Sequence, residues 1–77
     1  MPNTSTTFVR VIFDSEESFT RIFSSFEEGK KYADNLAASD REVVDALVIC
    51  GSWRYKSPAA YRNFAYWREA RQNHSRW

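Results

Sequence analysis

The sequence has little of the residue types that usually supply nucleophiles, metal ligands and phosphate-binding loops. Among 77 residues there is one cysteine, Cys50, and one histidine, His74, which excludes an internal disulfide and a multi-cysteine zinc site. The two glycines, Gly29 and Gly51, lie far apart and form no phosphate loop. We interpret Cys50 as a small apolar residue at the end of a buried strand and His74 as a surface residue at a helix end. No metal ligand and no cofactor is predicted.

Adjacent acidic pairs are the remaining candidates for catalysis. Glu16 and Glu17 follow each other directly, as do Glu27 and Glu28, so the two side chains of each pair diverge. General acid–base chemistry requires groups that converge on one reacting atom. We therefore predict that the protein is not an enzyme and has no catalytic residues.

Long apolar runs are also missing. No segment approaches the roughly 18 apolar residues of a membrane span, and no charged-then-apolar leader is present. The lone cysteine fits a reducing compartment. These features predict a cytoplasmic protein with no membrane partner.

Aromatic residues, in contrast, are abundant. They make up 17% of the residues. The chain has room for one core, and we assign residues 7–77 to a single domain. Residues 1–6 are predicted to be a flexible N-terminus. A core of this size does not need so many rings. We expect some of them at the surface, where exposed rings often mark binding sites.

The net charge of +1 conceals an unequal distribution. Residues 1–50 carry five Lys and Arg against nine Asp and Glu, a net charge of −4, whereas residues 51–77 carry six against one, a net charge of +5. Such a division indicates a charged partner. Attraction between the two halves within the fold is the alternative explanation.

Two strands open the chain. The pattern of β-branched and aromatic residues in Thr7–Phe13 has a period of two and predicts a strand. Residues 14–17 are polar and acidic and predict a hairpin loop. Residues 18–24 resume strand character. Arg10 and Arg21 each lie among apolar residues. One face of the sheet is therefore expected to be only partly covered.

The first helix is predicted by a capping box. The Ser25 hydroxyl can accept from the amide of Glu28, whose carboxylate can reach back to the cap, and the helix should run to about Ala38. Its small residues allow a close approach to a sheet. The predicted buried stripe consists of Phe26, Gly29, Tyr32, Ala33, Leu36 and Ala37.

The most apolar run, Val43–Cys50, predicts a central strand covered on both faces. Gly51 marks a bulge, a kink or a tight turn, and residues 52–55 continue as strand or as a short hairpin return. Three or four strands result.

Ser57 as N-cap and Pro58 at the first helical position predict a second helix to about His74. The residues expected to face the sheet are Ala60, Tyr61, Phe64, Ala65, Trp67 and Arg68. Those expected on the outer side are Arg62, Tyr66, Glu69, Gln72 and Asn73.

The order β-β-α-β-(β)-α predicts an α+β fold. A mostly antiparallel sheet of three or four strands, packed against two helices in two layers, buries the apolar face of each element.

Two surfaces are candidate binding sites. The C-terminal third mixes arginines with aromatic rings, a composition typical of protein interfaces and also of single-stranded nucleic-acid sites. Its predicted partner-binding residues are Arg54, Tyr55, Arg62, Tyr66, Glu69, Arg71 and Trp77. The second surface is acidic and either imitates nucleic-acid phosphates toward a basic groove or only solubilises the chain. It consists of Asp14, Glu16, Glu17, Glu27 and Glu28.

In size and organisation the chain resembles phage-encoded inhibitors of host machinery, anti-CRISPR proteins in particular. The resemblance lies in an opening hairpin (FVRVIFDSEESFTRIF), a capped helix (SFEEGKKYADNLAAS), an apolar strand (VVDALVIC) and a basic C-terminal helix. It implies a small inhibitor in the cytoplasm of a bacterial host that binds a CRISPR effector complex and blocks recruitment of target DNA.

Two alternatives stay open beside this protein-binding inhibitor. The chain could bind nucleic acid through Arg54, Arg62, Arg68 and Arg71. It could also be a structural or interaction module that buries its surplus rings against a second copy. The sequence allows a monomer or a homodimer.

Overall fold

Four strands and two helices form the described part of the chain. The structure is a computed structural model that describes residues 6–74, and side chains to residue 72. The elements are β1 (Thr7–Phe13), β2 (Ser18–Phe23), α1 (Phe26–Ser39), β3 (Val43–Cys50), β4 (Trp53–Lys56) and α2 (Pro58–His74). The strands pair antiparallel in one open sheet in the order β2-β1-β3-β4. The α+β prediction is confirmed, and the fourth strand is present. Residues 1–5, which belong to the predicted flexible N-terminus, and the side chain of Asn73 lie outside the described residues.

The first hairpin turns where the sequence predicts. The amide of Phe13 donates to the carbonyl oxygen of Glu17 and the amide of Glu16 to that of Phe13, both at 2.8 Å. Glu16 has a φ of 77°. This is the three-residue loop in which a tight turn is followed by one left-handed residue, a position that glycine usually occupies. A side chain there costs about 1 kcal/mol.

Helix α1 begins at the predicted cap and lies very close to the sheet. The Ser25 hydroxyl accepts from the Glu28 amide at 3.1 Å, and the Glu28 carboxylate accepts from the Ser24 hydroxyl at 3.0 Å. All six residues of the predicted stripe are buried or half-buried. A Cβ on Gly29 would lie 2.9 Å from Cγ2 of Thr7 and 3.0 Å from Cγ1 of Val48. The helix backbone therefore rests directly on the strand side chains.

Strand β3 is central, but the prediction that it is covered on both faces is wrong. The two helices pack against each other and against the same side of β3. Ala46 and Val48 face the helices, so Leu47 and Ile49 face the other way, where they are half-buried. An apolar run alone does not show whether a strand face is buried by a helix or only by side chains of the neighbouring strands. Gly51, with a φ of 61°, opens a two-residue turn between the paired Cys50 and Trp53.

Helix α2 also starts as predicted, with the Ser57 hydroxyl accepting from the Ala60 amide at 3.4 Å. Its inward face was predicted incorrectly in part. Tyr61 is 66% exposed and Phe64 is 40% exposed, whereas Ala60 is buried and Asn63 is half-buried. The helix meets the sheet through small and polar residues, because its close approach leaves no room for rings.

Replacing Glu16 by glycine should stabilise the fold, because it removes the left-handed strain in the first hairpin. We expect a rise of roughly 0.5–1 kcal/mol in the free energy of unfolding, measured by urea denaturation. Glu17→Gly is the matched control: Glu17 has no positive φ, so this change should destabilise. Equal effects of the two changes would contradict the explanation.

Replacing Gly29 by alanine should destabilise the fold, although alanine is the better helix former. The added methyl group would lie too close to Thr7, at 2.9 Å, and in tight contact with Val48 and Val9, at 3.0 and 3.2 Å, so these side chains must shift. We expect a loss of about 1–2 kcal/mol in the free energy of unfolding, checked by thermal denaturation. Asn35→Ala, on the exposed side of the same helix, should instead be neutral or stabilising. A raised melting temperature for Gly29→Ala would show that α1 is not held so tightly.

Candidate functional site

The side of the sheet opposite the helices is uncovered within residues 6–74. We call it the open face. Side-chain alternation and the strand register define its members. They are Phe8, Arg10, Ile12, Ser18, Thr20, Ile22, Asp45, Leu47, Ile49, Arg54 and Lys56.

One transverse row of the open face is mainly apolar. The register aligns Ile22, Phe8, Ile49 and Arg54 on the four successive strands. Neighbouring strands are about 4.8 Å apart, so this row spans roughly 14 Å. Ile22 is 66% exposed and Phe8 is 40% exposed. The row is therefore a continuous apolar strip that ends in a cation.

The remaining charges of the open face are mostly positive. Arg10, Arg54 and Lys56 are exposed, and the half-buried Asp45 is the single carboxylate among the described members. A guanidinium nitrogen of Arg54 donates to the carbonyl oxygens of Gly51 at 2.9 Å and Trp53 at 3.2 Å. These bonds hold the cation at the hairpin end of the strip. The open face thus combines an apolar strip with a net positive charge.

Exposed rings also occur on α2, but several are used within the molecule. The Tyr61 and Phe64 centroids lie 6.3 Å apart. Tyr66 lies beneath the Arg41 guanidinium at 4.6 Å from its ring centroid and contacts Trp67 edge-on at 5.2 Å. The Trp67 indole nitrogen donates to the carbonyl oxygen of Arg41 at 2.8 Å. These contacts attach α2 to the link before β3.

The residues predicted to bind a partner do not form one surface. Arg54 belongs to the open face, whereas Tyr55 points to the helix side. Arg62, Tyr66 and Glu69 are exposed on α2. Two guanidinium nitrogens of Arg71 bond one carboxylate oxygen of Asp14, at 2.7 and 3.1 Å. Trp77 lies outside the described residues.

The predicted acidic surface is also divided. Asp14, Glu16 and Glu17 lie at the hairpin loop, but Glu27 and Glu28 lie at the start of α1, beyond the other end of β2. The six residues of that strand put about 17–20 Å between them. Glu27 pairs with Lys30 at 3.4 Å. The carboxylates therefore form two small groups, and one of them is already bonded to α2 through Asp14.

Tyr55 is held in place by α1. Its hydroxyl donates to Oδ2 of Asp34 at 2.8 Å, and the Lys30 ammonium lies 5.3 Å from its ring centroid. This hydrogen bond, together with burial and the negative charge of Asp34, raises the pKa of Tyr55 above its ordinary value near 10. The other carboxylate oxygen of Asp34 is buried and has no partner among the described residues. Tyr55 is therefore a structural residue of the β4–α1 contact.

Sequence reasoning did not assign Phe8, Ile22 or Lys56 to a site, although the signal was present. The alternation in β1 places Phe8 and Arg10 opposite the buried Val9. What the sequence does not show is the strand order, which brings the outward residues of β1 between those of β2 and β3.

Comparisons of the chain with protein-family models, with curated proteins and with solved structures find no match. No helix within the described residues is long and apolar enough to cross a membrane. The same residues contain no group of three or more His, Cys, Asp and Glu side chains placed to hold a metal ion.

The Tyr55 contact predicts a stability change at alkaline pH. Because the pKa of Tyr55 is raised in the folded state, the fold favours the protonated phenol. The stabilisation from this phenol is complete below about pH 10 and is lost as the pH rises through the folded-state pKa. Tyr55→Phe should lower the free energy of unfolding at pH 7 by about 1 kcal/mol and flatten its decline above pH 10. The control is Tyr61→Phe, an exposed tyrosine, which should change neither. Identical alkaline profiles for wild type and Tyr55→Phe would exclude this role.

Proposed function

We propose that the chain is a non-enzymatic protein-binding module and that the open face is its docking surface. The observation that carries this proposal is the position of both helices on one side of the sheet, which leaves the apolar strip of Phe8, Ile22 and Ile49 facing outward. An apolar centre with a polar rim is the usual anatomy of a protein interface. The proposed partner is a protein surface with apolar side chains and a surplus of carboxylates.

The side chains of the strip can supply binding energy. Full burial of an aliphatic or aromatic side chain contributes about 1.5–3 kcal/mol, so covering what remains exposed of Phe8 and Ile22 accounts for part of a stable complex. The surrounding Arg10, Arg54 and Lys56 favour an acidic partner and accelerate its approach. Neither ion pair within the described residues, Lys30–Glu27 or Arg71–Asp14, involves a cation of the open face.

Nucleic acid is a weaker fit to this surface. Sheets that bind single strands stack successive bases on several rings, whereas Phe8 is the single ring among the described members of the open face. Its other apolar members are aliphatic and have no flat face for a base. The composition of the strip thus favours a protein surface.

A finer proposal is that the module inhibits a CRISPR effector complex by blocking recruitment of target DNA. Its support is the resemblance in size and organisation to anti-CRISPR proteins, together with a cationic, apolar face suited to docking on another protein. The direct assay is phage plating on a bacterium with active CRISPR immunity. Restored plaque formation supports the proposal; unchanged immunity against all tested effector types contradicts it, and the broader binding function is then decided by direct capture of a partner.

The docking surface can be tested by capture from nuclease-treated bacterial lysate with three forms of the chain. Phe8→Ser/Arg54→Glu should lose proteins that the wild type retains, because it removes a central ring and reverses a cation. Tyr61→Ser/Arg68→Glu is the matched control, with a ring and an arginine exposed on α2. Loss of the retained protein in the control alone would assign binding to α2. Proteins that the wild type retains from untreated lysate but not from nuclease-treated lysate would indicate binding through nucleic acid.

A further inference from the structure

Strand β2 has a free edge in the described part of the chain. It lies at one end of the sheet, and five of its six residues are exposed. Exposed edge strands are commonly protected from pairing with another chain by Lys or Pro residues, by bulges or by being short. The opposite edge, β4, has four residues and carries Arg54 and Lys56. β2 is longer, pairs regularly with β1, and contains neither Lys nor Pro.

The backbone groups on this edge can be assigned from the hairpin. The Phe13 amide donates to the Glu17 carbonyl, so Phe13 and Glu17 form a hydrogen-bonded pair. Such pairs alternate along an antiparallel ladder, which makes Val11 and Phe19 the next one. The amides and carbonyls of Ser18, Thr20 and Ile22 consequently point away from β1, toward the free edge.

We propose that β2 pairs antiparallel with β2 of a second copy, with Phe19 opposite Phe19 of that copy. In this register Glu17 lies opposite Arg21 of the other chain, twice by symmetry, and Ser18 lies opposite Thr20. The outward backbone groups of Ser18 and Thr20 then form the shared hydrogen bonds. Charge complementarity therefore points to a second copy as the occupant of the edge.

Two neighbouring registers lack this charge pairing. Placing Arg21 opposite Arg21 brings like charges together. Placing Thr20 opposite Thr20 removes the pairing of Glu17 in one chain with Arg21 in the other. All three registers keep the helices of both copies on the same side of the joined sheet. The dimer would therefore have eight strands and one open face of double width.

The hydrogen-bonding prediction is tested with Thr20→Pro. Proline removes only the outward amide, so the pairing of β2 with β1 should survive. Sedimentation equilibrium should show a dimer for the wild type and for Thr20→Val, but a monomer for Thr20→Pro with unchanged circular dichroism. If Thr20→Pro unfolds the chain, charge reversal at Glu17 and Arg21 decides the question. A wild-type monomer across the micromolar range would overturn the proposal.

The register is tested by that charge reversal. Glu17→Arg and Arg21→Glu should each weaken self-association by about tenfold or more, because each replaces two attractive pairs by two repulsive ones. An equimolar mixture of the two variants should form a heterodimer, since both cross-edge pairs between positions 17 and 21 then join opposite charges. Dimers that neither charge change weakens, or variants that fail to associate on mixing, would exclude this register. The open-face variants leave Glu17, Thr20 and Arg21 intact, so failure of the dimer is distinguishable from failure of the docking surface.

Discussion

The side-chain nitrogen of Asn63 lies within hydrogen-bonding distance of three backbone carbonyl oxygens, which share its two hydrogens: Ala37 at 2.9 Å, Asp40 at 3.2 Å and Val43 at 2.8 Å. These belong to the last turn of α1, the link that follows and the first residue of β3. The Asn63 side chain thus joins a helix end, a link and a strand start, and it shares the Asp40 carbonyl with the Val43 amide. Because Asn63 must point inward to do this, it fixes the rotation of α2 about its axis, and Tyr61 and Phe64 are turned toward solvent.

The same close contact explains why so many rings lie at the surface. The largest fully buried side chains are four valines and a threonine, and the helices meet the strands through Gly29, Ala33, Ala37 and Ala60. A layer spacing set by such small residues admits no ring between helix and sheet. The aromatics are displaced to the rim, where Phe26 contacts Trp53 and Phe23 contacts Tyr32, or to the open face and α2. The surplus of rings is thus a consequence of a thin aliphatic core.

Local signals predicted the hairpin, the cap and stripe of α1, and the start of α2, because each depends on residues within a few positions of one another. The inward face of α2 was not predictable in this way, since Asn63 is polar and its three acceptors are 20 to 26 residues away in sequence. The second face of β3 was mispredicted for a related reason. Leu47 and Ile49 are half-buried beside Arg10 and Phe8 of the same sheet, and no helix of the described chain lies on that side.

The division of charge along the chain does not by itself create the candidate site. The hairpin carboxylate Asp14 and the basic Arg71 of α2 neutralise each other, so part of the −4/+5 contrast is used within the fold. The cations of the open face come from both halves: Arg10 from the acidic half, Arg54 and Lys56 from the basic one. They share a face because β3 pairs with both β1 and β4, which puts Arg10 and Lys56 on either side of Leu47. The proposed docking surface is therefore a product of strand order.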